Sequence, residues 1–502
     1  MSVFRKFRSL KRYAPLAVLV VLGLLLCWPT EPTESPSDIV LVIPAPTANN
    51  TQFTNQLYEL IDATHNKIKT TGPYPYDIYA EHGQMPERPC LRPNPTLPRE
   101  DEDGGPLDQD AAKKPCVIDR SKYHIRVDGP IGQPVSFGIV ASNIAIELNR
   151  LGYKMSMNIW DSGKAILTPE LIRVKRKQAW LWPPTTNALD IRISHVNSFQ
   201  VHPSTHYFGL TASEIPMGPN TKLGPHLIKY IEAAIQAKDR VQKLFVPSHF
   251  VRELMAPSVN DALQWVNLFP HGFDERVFTF QPRLDRIDSS KFQFVWVSVW
   301  GGRKNTRTAL EAFVRAFPDG LATLPSGEQI QVELKLVCGS PVTIHPWERE
   351  YWNSKPGIVI VEPSATRSPA DIAHYYHEAD CFVFPTLAEG FGLTVLEAMA
   401  TGLPVIVPDY SGIRDFCDRQ TCVMIPPTRM INLTLENDSG CGADIDPRVL
   451  EPVLQMVVLN RRASVVMGSL AANKAHRDWT WKRVVEDFDQ RHICPLFAGT
   501  AS

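Results

Sequence analysis

From about His124 onward, short apolar runs alternate with longer stretches of helical period. The runs Met155 to Ile159, Phe292 to Ser298, Val332 to Val337, Ile358 to Val361, Cys381 to Phe384 and Pro404 to Val407 read as short strands, the last three continuously apolar. Strands buried on both faces read this way. A helical pattern follows from Ile139 to Leu151, and another from about Ala472 to Arg491 puts Trp479, Trp481, Val484, Val485 and Phe488 on one face. Alternating strands and helices predict mostly parallel sheets with helices on both sides. A polar stretch, Gln281 to Lys291, divides the series. The expected organisation is one doubly wound α/β domain over 122–280, a second over 281–471, and a C-terminal helix and tail over 472–502. Ligands of such sheets bind where the carboxyl ends of the strands open into a cleft.

The first quarter of the chain has a different pattern. Arg5, Lys6, Arg8, Lys11 and Arg12 precede an apolar run from Tyr13 to Trp28. The flank Leu26-Cys27-Trp28-Pro29 lacks the small residues that signal peptidase prefers, so the run reads as an uncleaved signal anchor over 13–28. The basic flank predicts a cytosolic tail, 1–12, with the body across the membrane. A short span suits the thinner membranes of the early secretory pathway, the endoplasmic reticulum or Golgi. From 29 to 121 the chain is rich in Pro, Thr, Ser and acidic residues and reads as a stem, with one helical stretch, Asn55 to Lys69, able to dock on the body.

Net charge is −1, which argues against nucleic acid as a partner. Of the nine cysteines, Cys338 and Cys381 lie in strand-like runs and read as buried thiols. Others lie in polar stretches, where Cys417 with Cys422 and Cys90 with Cys116 are candidate disulfides of an oxidising lumen, connectivity being open. No zinc-ligand spacing occurs. Sequons at Asn49, Asn432 and Asn437 agree with a luminal body.

The densest chemistry lies at Glu389-Gly390-Phe391-Gly392-Leu393-Thr394-Val395-Leu396-Glu397. A strand, a glycine turn and an apolar helix follow one another there. The first amides of such a helix point outward unpaired, and its dipole favours an anion. Glu389 precedes the helix and Glu397 lies about one turn inside it. Lys304, at another helix start, opposes the local dipole and so suggests a ligand. Asp101-Glu102-Asp103 and Asp444-Ile445-Asp446 read as solvated charge in the stem and in a loop.

The segment from Asp371 through Gly412 closely resembles glycosyltransferase family 4, through Pro385-Thr386, the nine-residue run, Ala398-Met399-Ala400, Gly402 and Pro404-Val405-Ile406. Gly301-Gly302-Arg303-Lys304-Asn305, Val246-Pro247-Ser248, Pro270-His271-Gly272 and the loop near Gly138 extend the resemblance from about Ile125 to His492. It implies a GT-B fold: two Rossmann-like domains around an interdomain cleft, behind a signal anchor and stem. It also implies a retaining transferase that uses a nucleotide sugar and no metal or other cofactor. A hexose would pass to a glycan acceptor in α linkage, mannose from GDP-mannose being the first expectation. The alternatives are a UDP-sugar donor or a catalytically silent relative that only binds its ligand.

By the same resemblance, Glu397 would hold the ribose hydroxyls and Glu389 would contact the transferred sugar. Backbone from Gly390 through Phe391, Gly392 and Leu393 to Thr394 would hold sugar hydroxyls and the distal phosphate. Lys304, helped by Arg303, would neutralise the leaving diphosphate, and Gly138 would bring backbone close to it from the first domain. His195 and Glu214 are the candidates there for sugar contact. Many relatives carry a further cation a few positions before the matching lysine, where this chain has Ser298 and Val299.

Overall fold

The computed structural model describes residues 48–71, 115–160, 165–176, 188–199, 206–213, 224–236, 242–255, 266–338, 344–361, 364, 368–435 and 438–499. These all fall in one compact unit, Pro44–Ser502. The expected anchor, 13–28, lies outside the described residues. Among the described residues, no helix is long and apolar enough to cross a membrane.

The first lobe runs β1 (His124–Gly129), α2 (Ser136–Arg150), β2 (Lys154–Ile159), α3 (Pro169–Arg176), β3 (Ala188–Ile193), β4 (His206–Leu210), α4 (Gly224–Gln236), β5 (Gln242–Val246), α5 (His249–Met255) and β6 (Val266–Leu268), after α1 (Ala48–Thr71). Its six strands are parallel, in the order β2-β1-β3-β4-β5-β6. Ile125, Val127, Leu189, Ile191 and Phe208 pack under Val140, Ile144 and Leu148 of α2.

The second lobe holds β7 (Lys291–Ser298), α6 (Thr306–Ala316), β8 (Leu321–Thr323), β9 (Gln329–Cys338), α7 (Pro346–Asn353), β10 (Ile358–Val361), α8 (Pro369–Glu378), β11 (Cys381–Val383), α9 (Leu393–Ala400), β12 (Val405–Pro408) and β13 (Val423–Ile425). Its sheet runs β10-β9-β7-β11-β12-β13, all parallel, with β8 antiparallel on β9. Two mostly parallel sheets with helices between their strands are what the hydrophobic pattern predicts.

Four features depart from that pattern. First, α1 is the helical stretch expected within the stem, longer than 55–69, and it is packed into the body rather than laid on it. Phe53, Leu57, Tyr58, Ile61 and Ile68 are buried in the second lobe's core. The Tyr58 hydroxyl donates to the Cys422 carbonyl at 3.2 Å and accepts from the Met424 amide at 3.0 Å. The spacing of these apolar residues gives the helix a face to bury.

Second, residues 429–444 form an antiparallel ribbon, β14 (Arg429–Leu435) and β15 (Asp438–Asp444), where a loop was expected. Its glycines and polar residues hid the alternation of Ile431 and Leu433, which are buried.

Third, the last apolar helix is broken. After α10 (Pro447–Leu459), α11 (Arg461–Asp478) ends before Trp479, and Thr480 caps α12 (Trp481–Phe488) by accepting from the Arg483 amide. Trp479 belongs to the second lobe's core, whereas Trp481, Val484, Val485 and Phe488 belong to the first lobe's. One apolar face thus serves both lobes, and the chain crosses back to the first. Gly272 allows the crossing, since a Cβ there would lie 2.6 Å from the Trp481 amide nitrogen.

Fourth, Cys116 is bonded to Cys494, at the start of α13 (Cys494–Gly499). This overturns the Cys90–Cys116 pairing; Cys90 itself lies outside the described residues. Cys417 and Cys422 are buried thiols whose Sγ atoms lie 2.7 Å apart. Cys338 and Cys381 are buried, as their strands predict.

Candidate active site

β11 ends under Phe384, and the chain then turns through 385–392 into α9. Gly392 sits at the helix start with φ 106°, left-handed backbone that favours glycine. A second loop braces the turn. The Gly412 amide donates to the Glu389 carbonyl at 3.0 Å, and the Glu389 amide donates to Ser411 Oγ at 3.0 Å. A Cβ on Gly412 would lie 2.3 Å from the Gly390 carbonyl oxygen, so only glycine fits.

A third segment, between β7 and α6, is fastened to the same turn. The Arg303 carbonyl accepts from the Leu387 amide at 2.9 Å and from Thr386 Oγ1 at 3.1 Å. Arg303 Nη1 donates to the Ala388 carbonyl at 2.5 Å. Asn305, with φ 51°, ends this segment and starts α6.

These constraints bring three predicted residues together. Glu389 Oε1 accepts from Lys304 Nζ at 2.6 Å and from Thr386 Oγ1 at 2.9 Å, with Arg303 Nη1 at 3.2 Å. Burial of Glu389 would raise its pKa. The charges of Lys304 and Arg303, with the hydrogen bonds from Lys304 and Thr386, outweigh that and hold it below the usual carboxylate range. Lys304 Nζ also lies 5.4 Å from the centre of the Phe384 ring. Glu389 is therefore an ionised, fixed carboxylate neutralised by two cations.

Glu397 has a different environment. It is 8% exposed, one turn into α9, and among the described residues no side chain donates to its carboxylate. Burial pushes its pKa from 4.5 to about 8. One helix tip thus presents one compensated acid and one uncompensated acid. A diol supplies the two donors that a buried carboxylate lacks.

The tip lies where the lobes touch. Ser248 Oγ donates to the Gly390 carbonyl at 2.6 Å, while accepting from the Val251 amide as the expected cap of α5. The His249 amide donates to Asp415 Oδ2 at 2.9 Å, and its ring lies 3.1 Å from the same oxygen. That hydrogen bond raises the His249 pKa. The Phe391 ring meets His271 at 5.0 Å and Phe416 at 5.1 Å.

The other predicted residues are placed as follows. Gly390, Phe391, Gly392, Leu393 and Thr394 form the turn and first helical residues. Gly138 is not in the β1–α2 loop but inside the first turn of α2. The loop folds over it, and a Cβ there would lie 2.3 Å from the Gln133 carbonyl oxygen. His195 is exposed after β3, its ring 5.1 Å from Phe137 at the start of α2. Glu214 and Asp101 to Asp103 lie outside the described residues. Asp444 pairs with Arg429 and accepts from Asn305, and Asp446 caps α10 and pairs with Arg448. Among the described residues, no group of His, Cys, Asp or Glu side chains is arranged to hold a metal ion. Thr386, Ser411, Gly412 and Asp415 were not foreseen as part of the site. Ser411 and Gly412 act through backbone contacts and Asp415 across the lobe boundary, which spacing cannot signal, whereas Thr386 reaches Glu389 within its own turn.

Residues 295–434 match the family described as glycosyl transferases group 1. The segment runs from β7 into β14 and contains the whole acidic tip with Arg303 and Lys304. Over 206 residues the chain is 25% identical to the lipopolysaccharide 1,2-N-acetylglucosaminetransferase of Salmonella typhimurium, which covers 39% of this chain and 51% of that protein. The chain thus spans about half the length of that relative. Over 39 residues it is 56% identical to the lipopolysaccharide core biosynthesis mannosyltransferase LpsB of Rhizobium meliloti, 8% of this chain and 11% of that one. Among solved structures, it is similar to sucrose-phosphate synthase from Thermosynechococcus elongatus (TM-score 0.50, 18% identity, 75% of this chain and 100% of the other). It is also similar to a glycosyltransferase from Rickettsia africae (TM-score 0.50, 11% identity, 75% and 98%). The α/β fold, two parallel sheets in two lobes, is GT-B.

Proposed function

We propose that this chain is a group 1 glycosyltransferase that moves a hexose from a nucleotide sugar to a glycan acceptor, with retention and in α linkage. The observation that supports it most is the pair of buried glutamates on one helix tip at the lobe boundary. One is neutralised by two cations; to the other, among the described residues, no side chain donates. The ribose hydroxyls would donate to Glu397. The diphosphate would lie against the amides at the start of α9, with Lys304 and Arg303 opposite its charge. Drawing Lys304 toward phosphate would leave Glu389 free to accept from a hydroxyl of the transferred sugar.

As the sugar–phosphate bond breaks, negative charge grows on the leaving diphosphate. Cations and amides already fixed in place lower that barrier without reorganising. In this reading the departing phosphate takes the acceptor's proton, and no dedicated base is needed. Arg303 fills the role of the cation that Ser298 and Val299 do not provide. A donor can enter only if the contacts of Ser248 with Gly390 and of His249 with Asp415 part, so a cycle of lobe opening and closing belongs to this mechanism.

The donor is a GDP- or UDP-linked hexose; GDP-mannose is the first candidate. The body is proposed to be luminal, held by a type II anchor at 13–28 in the Golgi or endoplasmic reticulum. The Cys116–Cys494 disulfide supports an oxidising compartment. The test is a transfer and hydrolysis assay of the full chain with GDP-mannose, UDP-glucose and UDP-N-acetylglucosamine over a set of glycan acceptors. Turnover with one donor, insensitive to chelator, is expected. Binding of a nucleoside diphosphate without any turnover would favour a silent relative, and absence of both would overturn the reading.

A further inference from the structure

The ribbon β14–β15 follows β13 and, among the described residues, pairs with no other strand. Its inner face is fastened to the turn that carries Glu389. Ile431 and Leu433 are buried, the Ala443 amide donates to the Leu387 carbonyl at 2.7 Å, and a Cβ on Gly442 would lie 3.0 Å from that of Leu387. The Tyr410 hydroxyl donates to the Cys441 carbonyl at 3.2 Å. Side chains alternate along a strand. Asn432, between Ile431 and Leu433, therefore stands on the outer face, and it is exposed. Cys441 is its direct partner on β15 and shares that face, the two Cβ atoms being about 5 Å apart in such a pair.

This outer face has two weaknesses. Each strand of a two-stranded ribbon has an open edge, a template for strands of other molecules. Among the described residues, Cys441 is also the one thiol that is not buried. In an oxidising compartment an accessible thiol is open to mixed disulfides. Asn432-Leu433-Thr434 is an acceptor sequence for N-linked sugar. Of the other two such asparagines, Asn49 is the second residue of helix α1 and Asn437 lies outside the described residues. Asn432 combines the sequence with extended backbone and an exposed side chain.

We propose that Asn432 carries an N-linked oligosaccharide that covers the outer face of the ribbon and shields the Cys441 thiol. The proposal rests on the body being luminal, as read above. The co-substrate is an oligosaccharide carried on a lipid diphosphate. The Asn432 amide nitrogen bonds to the anomeric carbon and gives up one proton. The carbon–oxygen bond to phosphate breaks, and the lipid diphosphate leaves with the electron pair. A bulky polar glycan then stands over the thiol and beside both edges.

The experiment uses the full chain made in a eukaryotic host. An amidase that releases N-glycans, acting in heavy-oxygen water, turns each occupied asparagine into a labelled aspartate, which peptide mass spectrometry locates. Label is expected at 432. Asn432→Gln and Thr434→Ala should each lose one glycan step in gel mobility, and Thr434→Ser should keep it. A maleimide should react several-fold faster with the Thr434→Ala protein than with the wild type, and adding Cys441→Ser should remove that difference. Label at the other acceptor asparagines but not at 432 would overturn the proposal and leave the luminal reading standing. No label anywhere would overturn it too; Cys116 and Cys494 recovered as thiols would then show that the luminal reading had failed, and their disulfide recovered intact that the site alone had. Equal maleimide rates in the wild type and Thr434→Ala would overturn the shielding of Cys441.

Discussion

Replacing Glu397 by Gln should abolish this site's contribution to the pH dependence of stability. In the folded chain the carboxyl keeps its proton until about pH 8; in the unfolded chain it loses it above 4.5. The stabilising contribution of the neutral form is therefore complete below pH 4.5. It declines as pH rises through that window and is gone above about 8. The gap corresponds to about 5 kcal/mol as an upper bound, at ~1.4 kcal/mol per pH unit. Relaxation and water entry will reduce it. Glutamine keeps the shape and cannot ionise. E397Q should match the wild type near pH 5 and exceed it near pH 8.5, by on the order of 5–10 °C in melting temperature. Thermal melts of both proteins at the two pH values make the comparison, and other titrating groups cancel in the difference. A wild-type-to-variant gap that does not change between pH 5 and 8.5 would refute the claim that this carboxylate is buried without compensation.

The other predictions concern the grip, the brace and the staple. Lys304→Met should lower kcat by about 10²–10³ while leaving the fold intact, because it removes the cation proposed to act on the leaving group; steady-state kinetics with the donor that turns over and a far-UV spectrum check both halves. Gly412→Ala places a Cβ against the Gly390 carbonyl and should destabilise the protein by about 1–3 kcal/mol while weakening donor binding; chemical denaturation and nucleotide titration measure the two effects. Cys494→Ser opens a link spanning 378 residues of sequence and should cost about 2–5 kcal/mol, readable as a lower denaturation midpoint relative to the oxidised wild type.

The sequence shows the fold and the acidic tip for the same reason. Strands such as Phe292 to Ser298 and Cys381 to Phe384 are buried on both faces, so local composition alone exposes them. The tip is a contiguous segment whose glycines and acids act within nine residues. What failed to read out depends on distant partners. The face from Trp479 to Phe488 looks like one helix because apolar spacing does not say which lobe each residue meets. Helix α1 was legible as a helix able to dock, but its proline-rich surroundings gave no sign of how deeply Phe53, Leu57 and Ile61 are buried. The Cys116–Cys494 bond joins segments that only the return of the chain to the first lobe brings together. Gly138 was read for its closeness to phosphate, and the structure shows a further reason for glycine there, its own loop folding over it. A glycine's neighbours in sequence do not tell which backbone will approach it.

The tip bearing Glu389 and Glu397 is proposed to hold a nucleoside diphosphate. This is tested most directly by calorimetric titration of the full chain with GDP and with UDP, at pH 6.5 in two buffers of different ionisation enthalpy. The account predicts that one nucleotide binds and that binding releases a proton, since ribose hydroxyls favour the ionised form of a group with pKa about 8. It predicts that Glu397→Ala removes both the affinity and the proton. Binding that survives Glu397→Ala unchanged, or no binding of either nucleotide at millimolar concentration, would contradict it.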